Sequence, residues 1–352
     1  MEQGSLLTAL LWSAIPALLL LAVIYYLDRY EKEPVRLLGT ALLAGGVAAP
    51  LLAAGLETLF LTWAGRPGPP ATLASQATSI PGFATVRVAI IEELVLGAVI
   101  LLVFFLVRHE IDGLLDGLVY GGVVGVGYGL AANFWAIWTT PVILGGLEER
   151  TLFSTVVSGT NWVFYAGVIG MFLAVARRAG PGRVVVLGAL GTVIAMGFHL
   201  LHDFIPTWVA ADAGSIETSD VAALLADLPN VLGLIALAAI AVWTVGREKV
   251  IVGRELLDEV EAGVVTREDY ATVTNSFRRF GTLAGALGGG IGTWRLRRRL
   301  YMLEVELAFR KHHDRSDRSV PAKLLEPEEY RRLIVETRSE IGPEERTQEA
   351  PA

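Results

Sequence analysis

Long apolar runs separated by short polar stretches are the main pattern along the first 246 residues of the chain. Each run has about 18 residues or more, the length that a helix needs to cross a hydrocarbon core of roughly 30 Å. The pattern predicts about seven transmembrane helices, at residues 5–27, 35–64, 86–107, 114–138, 152–176, 184–204 and 228–245. We therefore predict an all-α fold, a polytopic membrane helix bundle.

Charged residues are concentrated after the last apolar run, and no later stretch is long and apolar enough to span a membrane. We predict a transmembrane domain at 1–246 and a partly helical cytoplasmic tail at 247–352. Within the tail, we expect short amphipathic helices on either side of Gly263, with Thr266 as a helix cap. The predicted tail helices lie at 254–262, 266–275, 302–311 and 326–340, and disorder is predicted at 342–352. The glycine-rich stretch at 281–292, which is followed by arginines, is predicted to be a flexible linker, with a phosphate or lipid-headgroup contact as the alternative.

Basic residues are concentrated in alternate loops, and this pattern predicts how the bundle is oriented in the membrane. Basic side chains occupy the first, third and fifth loops and follow the last span, at Arg29, Lys32, Arg36, Arg108, Arg177, Arg178, Arg183, Arg247, Lys249 and Arg254. The positive-inside rule then places the N-terminus outside and the tail in the cytoplasm, with the plasma membrane as the location. Tryptophans fall toward the predicted outer face, as an interfacial aromatic belt would, at Trp63, Trp135, Trp138, Trp162 and Trp208.

Composition narrows the function classes. The chain is 53% hydrophobic and 18% charged, with a mean hydropathy of +0.53. Its formal net charge of −7 argues against a nucleic-acid partner, because phosphate binding requires clustered excess Lys and Arg. The absence of cysteine excludes disulfides, thiolate metal sites and a cysteine nucleophile.

Ionisable side chains inside the predicted spans are the strongest functional signal, because each costs at least about 2.5–3.5 kcal/mol at a helix centre. A rise of 1.5 Å per residue places Glu92 and Glu93 about 9 Å from the outer end of the third span. The second, fourth, fifth and sixth spans carry polar residues at a similar outer depth, namely Glu57, Asn133, Asn161, His199, His202 and Asp203. Taken singly, Glu57, Asn133 and Asn161 suit hydrogen bonds between helices.

The sixth span has metal-ligand spacing. Asp203 follows His199 by four residues and His202 follows it by three, so all three share one helical face. A catalytic zinc takes three such ligands and lowers the pKa of a bound water to about 7. Because adjacent side chains diverge by about 100°, we expect one of Glu92 and Glu93 to join the ligands and the other to act as a base or to face another span.

The fourth span carries glycines at strict four-residue intervals, at Gly113, Gly117, Gly121, Gly125 and Gly129. Such a stripe predicts close helix packing rather than a nucleotide-binding loop, because it lies within an apolar run.

Four motifs in this order resemble the PrsW family of intramembrane proteases, which belongs with the CAAX-protease-like membrane enzymes. Residues 26–34, Tyr-Leu-Asp-Arg-Tyr-Glu-Lys-Glu-Pro, are similar to the first-loop signature of that family. Glu92-Glu93 resembles the start of its EExxK motif, and residues 112–121, Asp-Gly-Leu-Leu-Asp-Gly-Leu-Val-Tyr-Gly, follow its glycine-rich run. His199 and Asp203 fit its HxxxD motif.

The chain departs from the family pattern at two motifs. Leu96 stands where EExxK has Lys, and Ala132 stands where FxxxE has Glu, with Tyr128 in place of Phe. The resemblance implies extracytoplasmic cleavage of membrane-protein substrates such as anti-sigma factors, with the glutamates and His199 as the catalytic or metal-binding set. With a family acid missing, either Glu57 or Asp203 replaces it, or the protein binds substrates without cutting them.

Our leading hypothesis is an intramembrane endopeptidase with Glu92 and Glu93 as catalytic residues. Its expected ligands for a divalent metal, zinc being the expected ion, are Glu93, His199, His202 and Asp203. A shared site requires Glu93 and His199 to lie within about 10 Å of each other, since ligand bonds are near 2 Å. The alternatives are a catalytically degenerate pseudo-protease or membrane scaffold, and an ion-coupled transporter, although the sequence has no inverted repeat.

Overall fold

The structure is a computed structural model that describes residues 6–30, 32–65, 83–139, 147–177, 179–212, 216–315 and 324–341. Every regular element in these ranges is helical. The helices of the first part are α1 (Leu6–Leu27), α2 (Val35–Leu43), α3 (Ala49–Trp63), α4 (Phe83–Val107), α5 (Leu114–Thr139), α6 (Leu147–Ala176), α7 (Pro181–Asp212) and α8 (Ile216–Glu261). The helices that follow are α9 (Arg267–Val273), α10 (Ser276–Ala286), α11 (Ile291–Arg315) and α12 (Pro327–Ile341).

Seven of the described helical segments are long and apolar enough to cross a membrane, which confirms the predicted polytopic helix bundle. They are Leu6–Leu27, Val35–Trp63, Val86–Val107, Leu114–Thr139, Val156–Ala176, Pro181–Ile205 and Leu225–Glu261. The second span joins α2 and α3 through a π-helical turn, Ala44–Ala48, that the apolar pattern did not reveal. The chain divides into two compact units, one of Met1–Asp28 with Glu33–Val242 and one of Arg29–Lys32 with Trp243–Ala352.

The centre of the first unit is α5, which packs against α6 through the predicted glycine stripe. A Cβ atom built on Gly117, Gly121 or Gly125 would lie 2.3–2.4 Å from a backbone carbonyl oxygen of α6. Only glycine therefore allows the two backbones to come this close. Gly113 is the exception in the stripe, because its Cβ would meet nothing closer than 3.7 Å.

Acidic residues of the family motifs hold the start of this bundle together. Asp116 accepts hydrogen bonds from the backbone N–H groups of Asp112 (2.7 Å) and Gly113 (2.8 Å), which fixes the turn before α5. Asp28 accepts one from the backbone N–H of Glu33 (2.8 Å). The hydroxyl of Tyr120 donates to the Glu33 carboxylate at 2.6 Å. These carboxylates serve the scaffold, because each accepts hydrogen bonds that close a turn or join α5 to the first loop.

In the second unit, α8 continues to Glu261, although its apolar run ends at Val245. The prediction of a separate helix at 254–262 is therefore wrong, because charged residues end a span without ending a helix. The chain turns just after the helix at Gly263, which has a φ of +73°, and the backbone N–H of Val264 donates to the backbone carbonyl of Glu259. Thr266 then caps α9 as predicted, accepting a hydrogen bond from the backbone N–H of Asp269.

Buried charges and a small apolar core fix the helices of the second unit. Lys311 of α11 binds Glu259 (2.7 Å) and Asp258 (2.5 Å) of α8, and Arg331 of α12 also binds Glu259. Leu307 of α11 packs in the core with residues of α12. The predicted charged helices lie within α11 and correspond to α12.

The glycine-rich stretch at 281–292 is mostly helical, so the prediction of a flexible linker is wrong. It lies in α10, in a 3₁₀ turn at Leu287–Gly289 and in the start of α11. Only Gly290 within it has a positive φ, of +98°. The predicted disordered stretch at 342–352 lies outside the described residues.

Candidate functional site

Two neighbouring helices of the first unit, α4 and α7, come together near the predicted site residues. A Cβ atom on Gly97 of α4 would lie 2.3 Å from the hydroxyl oxygen of Thr192 on α7, so the helices touch at this point. Glu93 lies one turn before Gly97 on α4, and His199 lies two turns after Thr192 on α7. This close approach lets the carboxylate of one helix reach the imidazole of the other.

His199 lies between three carboxylates. Its Nδ1 is 3.0 Å from Glu93 Oε1, within hydrogen-bond distance. On the other side of the ring, Nε2 is 3.6 Å from Asp203 Oδ2 and 3.9 Å from Glu92 Oε2. The Glu93–His199 separation is thus well inside the limit set for a shared site. Both adjacent glutamates approach the histidine, because they meet opposite edges of its ring.

The residues of this cluster are buried to different degrees. Glu93 is fully buried, and Glu92 and His199 are only 5% and 6% exposed. Asp203 is more accessible, with 26% of its side chain exposed. Asp203 therefore lies at the more open edge of the cluster.

Aromatic side chains enclose the histidine, and sequence reasoning did not place them at the site. Tyr165 stacks on the His199 ring with centroids 5.0 Å apart, and Trp162 meets it edge-on at 5.1 Å. Trp162 is only 7% exposed, so its assignment to an interfacial belt is wrong. It packs at 4.2 Å against Tyr128, whose hydroxyl donates to Glu92 Oε1 at 3.0 Å.

A further polar contact reaches this cluster from α8. The Asn230 amide donates to the hydroxyl of Tyr165 at 2.7 Å. Both side chains are buried, so α8 contributes to the support of the ring that stacks on His199. No sequence signal marked Asn230, since an isolated amide in an apolar run is common between packed helices.

His202 does not face the same carboxylates as His199. Its Nδ1 lies 3.0 Å from Asp227 Oδ1 of α8, and Asn161 donates to that same oxygen at 3.3 Å. His202 and Asp227 are partly exposed. The structure therefore places His202 in a neighbouring polar group rather than among the carboxylates around His199.

Glu57 is occupied by a different partner. It is fully buried, and its carboxylate binds Arg87 of α4 at 2.7 Å. This ion pair neutralises Glu57 inside the bundle, which gives it a structural role. Of the two candidates to replace the missing family acid, only Asp203 lies within 4 Å of His199 among the described contacts.

The two departures from the family motifs lie in apolar surroundings. Leu96 is fully buried in the core around α4, where a lysine ammonium would be surrounded by hydrocarbon. Ala132 packs against the same core. Both positions lack a charge that the family pattern contains.

The side chains around His199 are of the chemical types that bind divalent metals, imidazole and carboxylate. Among the described residues, no three His, Asp or Glu side chains already converge on one point. Two ligand atoms that each lie about 2 Å from a tetrahedral zinc are about 3.3 Å apart. The distances from His199 Nε2 to the nearest oxygens of Asp203 and Glu92 are slightly longer, 3.6 and 3.9 Å. A histidine whose other nitrogen binds a carboxylate, here Glu93, is the usual metal-ligand arrangement. Glu93 Oε2 is buried and accepts no hydrogen bond from the described part of the chain.

The fold and the site define a multi-pass helical membrane protein with a buried histidine–carboxylate cluster. Residues 33–240 match the family described as PrsW family intramembrane metalloprotease. This match covers more than half of the chain and every site residue described above, so the chain belongs to the PrsW family. Comparisons with curated proteins and with solved structures gave no match.

Proposed function

We propose that the protein is an active intramembrane endopeptidase that cleaves membrane-protein substrates near the extracytoplasmic face. The observation that supports this most is the meeting of Glu92, Glu93 and Asp203 around both nitrogens of one buried histidine, His199. Three acids and an imidazole cost too much in a bilayer to be kept for packing alone. The same residues lie within the stretch that matches the PrsW family of intramembrane metalloproteases.

In the proposed mechanism, Glu93 accepts a hydrogen bond from the Nδ1–H of His199, which leaves the lone pair of Nε2 available to bind a metal. Nε2, Glu92 and Asp203 are then the groups that would hold the divalent metal, with zinc as the proposed ion. When bound, such a metal supplies an activated water for peptide hydrolysis. This assignment moves Glu93 from the ligand set expected from the sequence to a residue that orients His199.

The remaining side chains position this group. Tyr128 holds one oxygen of Glu92, and Tyr165, itself held by Asn230, supports one face of the His199 ring. The substitution Glu93→Gln keeps the size of the side chain, but its amide N–H can donate to Nδ1. The His199 proton would then lie on Nε2, or the ring would turn, and in either case Nε2 would no longer be placed to bind a metal.

The test is cleavage of a reporter membrane protein by purified, reconstituted enzyme. Glu93→Gln should lower the cleavage rate at least 10–100-fold, the usual loss when a residue that supports a metal ligand is changed. The matched control is Glu261→Gln, an identical change at an exposed position. Unchanged cleavage by the Glu93→Gln enzyme would refute the proposal.

Metal content gives an independent test. We expect about one zinc per chain by elemental analysis, loss of cleavage with a chelator, and recovery on adding zinc. Asp203→Asn should lower the zinc content, whereas Asp227→Asn, beside His202, should leave it unchanged. Chelator-resistant cleavage by metal-free protein would contradict the metal-dependent mechanism.

We further propose anti-sigma factors as the substrate class, with the protein in the plasma membrane, its N-terminus outside and its tail in the cytoplasm. The alternation of basic loops supports this orientation. Because the chain has no cysteine, a single Ser339→Cys can be labelled with a membrane-impermeant maleimide in intact cells. Labelling should require permeabilisation of the cells. Labelling of intact cells would show that the tail lies outside, opposite to the proposed orientation.

A pseudo-protease is the second candidate, favoured by the uncharged Leu96 and Ala132 at family positions. Such a protein would bind a membrane substrate without cutting it. Substrate capture by the reconstituted protein, with neither cleavage nor bound zinc, would establish this reading over the first.

A further inference from the structure

The stretch 276–299 of the second unit has an unusual charge for this chain. It contains six arginines, Arg278, Arg279, Arg295, Arg297, Arg298 and Arg299, and neither Asp nor Glu. The whole chain has a formal net charge of −7, so this short stretch opposes the overall sign. Such a local excess of basic residues favours an anionic partner.

Within this stretch, α10 presents an apolar face to solvent. Phe277 is 85% exposed and Phe280 is 69% exposed, and Leu287, just after the helix, lies on the same side. The opposite face is buried, and on it Arg279 donates to the backbone carbonyl of Arg29 at 3.1 Å. A charged residue therefore anchors α10 to its unit while large apolar side chains point outward, the reverse of a soluble amphipathic helix.

The start of α11 continues this exposed surface. Ile291 is exposed, and Trp294 lies under the guanidinium of Arg298 at 5.6 Å. A surface cavity of about 210 Å³ is lined by Arg295, Arg298 and Arg299, together with Met302, Leu303 and Glu306. Exposed aromatic and aliphatic side chains thus lie in the same short stretch as three arginines that share a cavity.

We infer that α10 and the first turns of α11 form a surface that binds the headgroup region of an anionic lipid bilayer. Apolar side chains beside basic ones are the composition of helices that lie in a membrane interface, with the apolar face about 5–10 Å deep. At 11 residues, α10 is roughly 16 Å long, too short to span a bilayer.

A bilayer suits this surface better than an acidic protein does. The membrane is always within reach, because the seven spans of the same chain hold it at high effective concentration. An acidic protein surface would match the arginines but not the exposed Phe277 and Phe280. Lipid satisfies both parts, since phosphates meet the arginines and acyl chains meet the aromatic rings.

The experiment uses the full-length protein in lipid nanodiscs with a single nitroxide at Ala284→Cys, an exposed position on the apolar side of α10. The absence of native cysteine makes this label unique. In discs with one third anionic lipid, the nitroxide should be accessible to oxygen and protected from a water-soluble nickel relaxant. In discs of zwitterionic lipid alone, protection should be clearly weaker. A label at Ser339→Cys, exposed on α12, should stay accessible to nickel in both.

Charge removal gives the matched comparison. Arg295→Gln and Arg299→Gln should each lower the ratio of inserted to detached label about fivefold, the factor for about 1 kcal/mol per basic residue at an anionic surface. Arg332→Gln, the same change on the exposed face of α12, should have no effect. The inference would be overturned if nickel reached the nitroxide at position 284 in anionic discs, or if the label inserted equally well without anionic lipid. Protection from both oxygen and nickel would also overturn it, since that result means that protein covers the surface.

Discussion

The hydrogen bond from Tyr128 to Glu92 is open to a quantitative test, because tyrosine stands where the family has phenylalanine. Tyr128→Phe removes only the hydroxyl and keeps the ring contact with Trp162. The bond is 3.0 Å long, and both residues are buried. The substitution therefore removes one donor from a carboxylate and leaves the packing in place.

The expected loss is about 1.5 kcal/mol of unfolding free energy. Hydrogen bonds to charged groups contribute about 1.5–3 kcal/mol in soluble proteins, whereas those between membrane helices average about 0.6 and reach about 1.7 kcal/mol. Because Glu92 is 5% exposed and the bond is of ordinary length, the value should lie where these two ranges overlap.

The assay is a double-mutant cycle measured by denaturation in detergent micelles with a chelator present, so that metal binding does not contribute. Tyr128→Phe should cost about 1.5 kcal/mol in the native protein and almost nothing once Glu92→Leu has removed the acceptor. The control is Tyr165→Phe, which deletes an equally buried hydroxyl that binds Asn230 and should cost the same in both backgrounds. A coupling energy between Tyr128 and Glu92 below about 0.3 kcal/mol would refute the argument, because independent sites are additive to that level.

Two further predictions concern stability. Gly121→Ala should lower the unfolding free energy by at least about 1–3 kcal/mol, because the added Cβ would lie 2.4 Å from the Ala166 carbonyl oxygen. The control, Gly39→Ala, has open space around it and should not lower the stability of the protein. Thermal denaturation compares the two variants, and equal stability would contradict the packing argument. Burial raises the pKa of the Glu304 carboxyl well above its ordinary 4.5, despite the nearby Arg338. The native state therefore binds the proton of this carboxyl more tightly than the unfolded chain does. The unfolding free energy should then fall as the pH rises above about 4.5. Glu304→Gln should remove this part of the pH dependence, which thermal denaturation from pH 5 to 8 would detect, and an unchanged slope would show that burial does not control this group.

The spans were predictable because the hydrocarbon thickness alone sets their length. The end of α8 was not, since helix termination depends on backbone signals such as Gly263 rather than on polarity. The glycine-rich stretch was misjudged for a related reason: Ala286 and Arg279 pack against their unit, and this tertiary contact outweighs the low helix propensity of glycine.

The candidate site was predictable where a charge stood in an apolar run, as at Glu92, Glu93, His199 and Asp203. These residues are conspicuous because their burial is costly. Neutral partners such as Tyr165 and Asn230 escaped, because tyrosine and asparagine are common between helices and their roles depend on how each helix is rotated. For the same reason, the sequence could not tell that Glu57 is paired with Arg87.

The glycine stripe that packs α5 against α6 has a consequence for the order in which the bundle assembles. These helices are consecutive, so their contact closes a short loop and can form as a hairpin early in folding. The carboxylates of Glu92 and Glu93 on α4, by contrast, lack their histidine until α7 has been inserted. Each carries a cost of at least about 2.5 kcal/mol in the hydrocarbon until then. The docking of α7 against α4 therefore brings His199 to both glutamates and completes the site in one step.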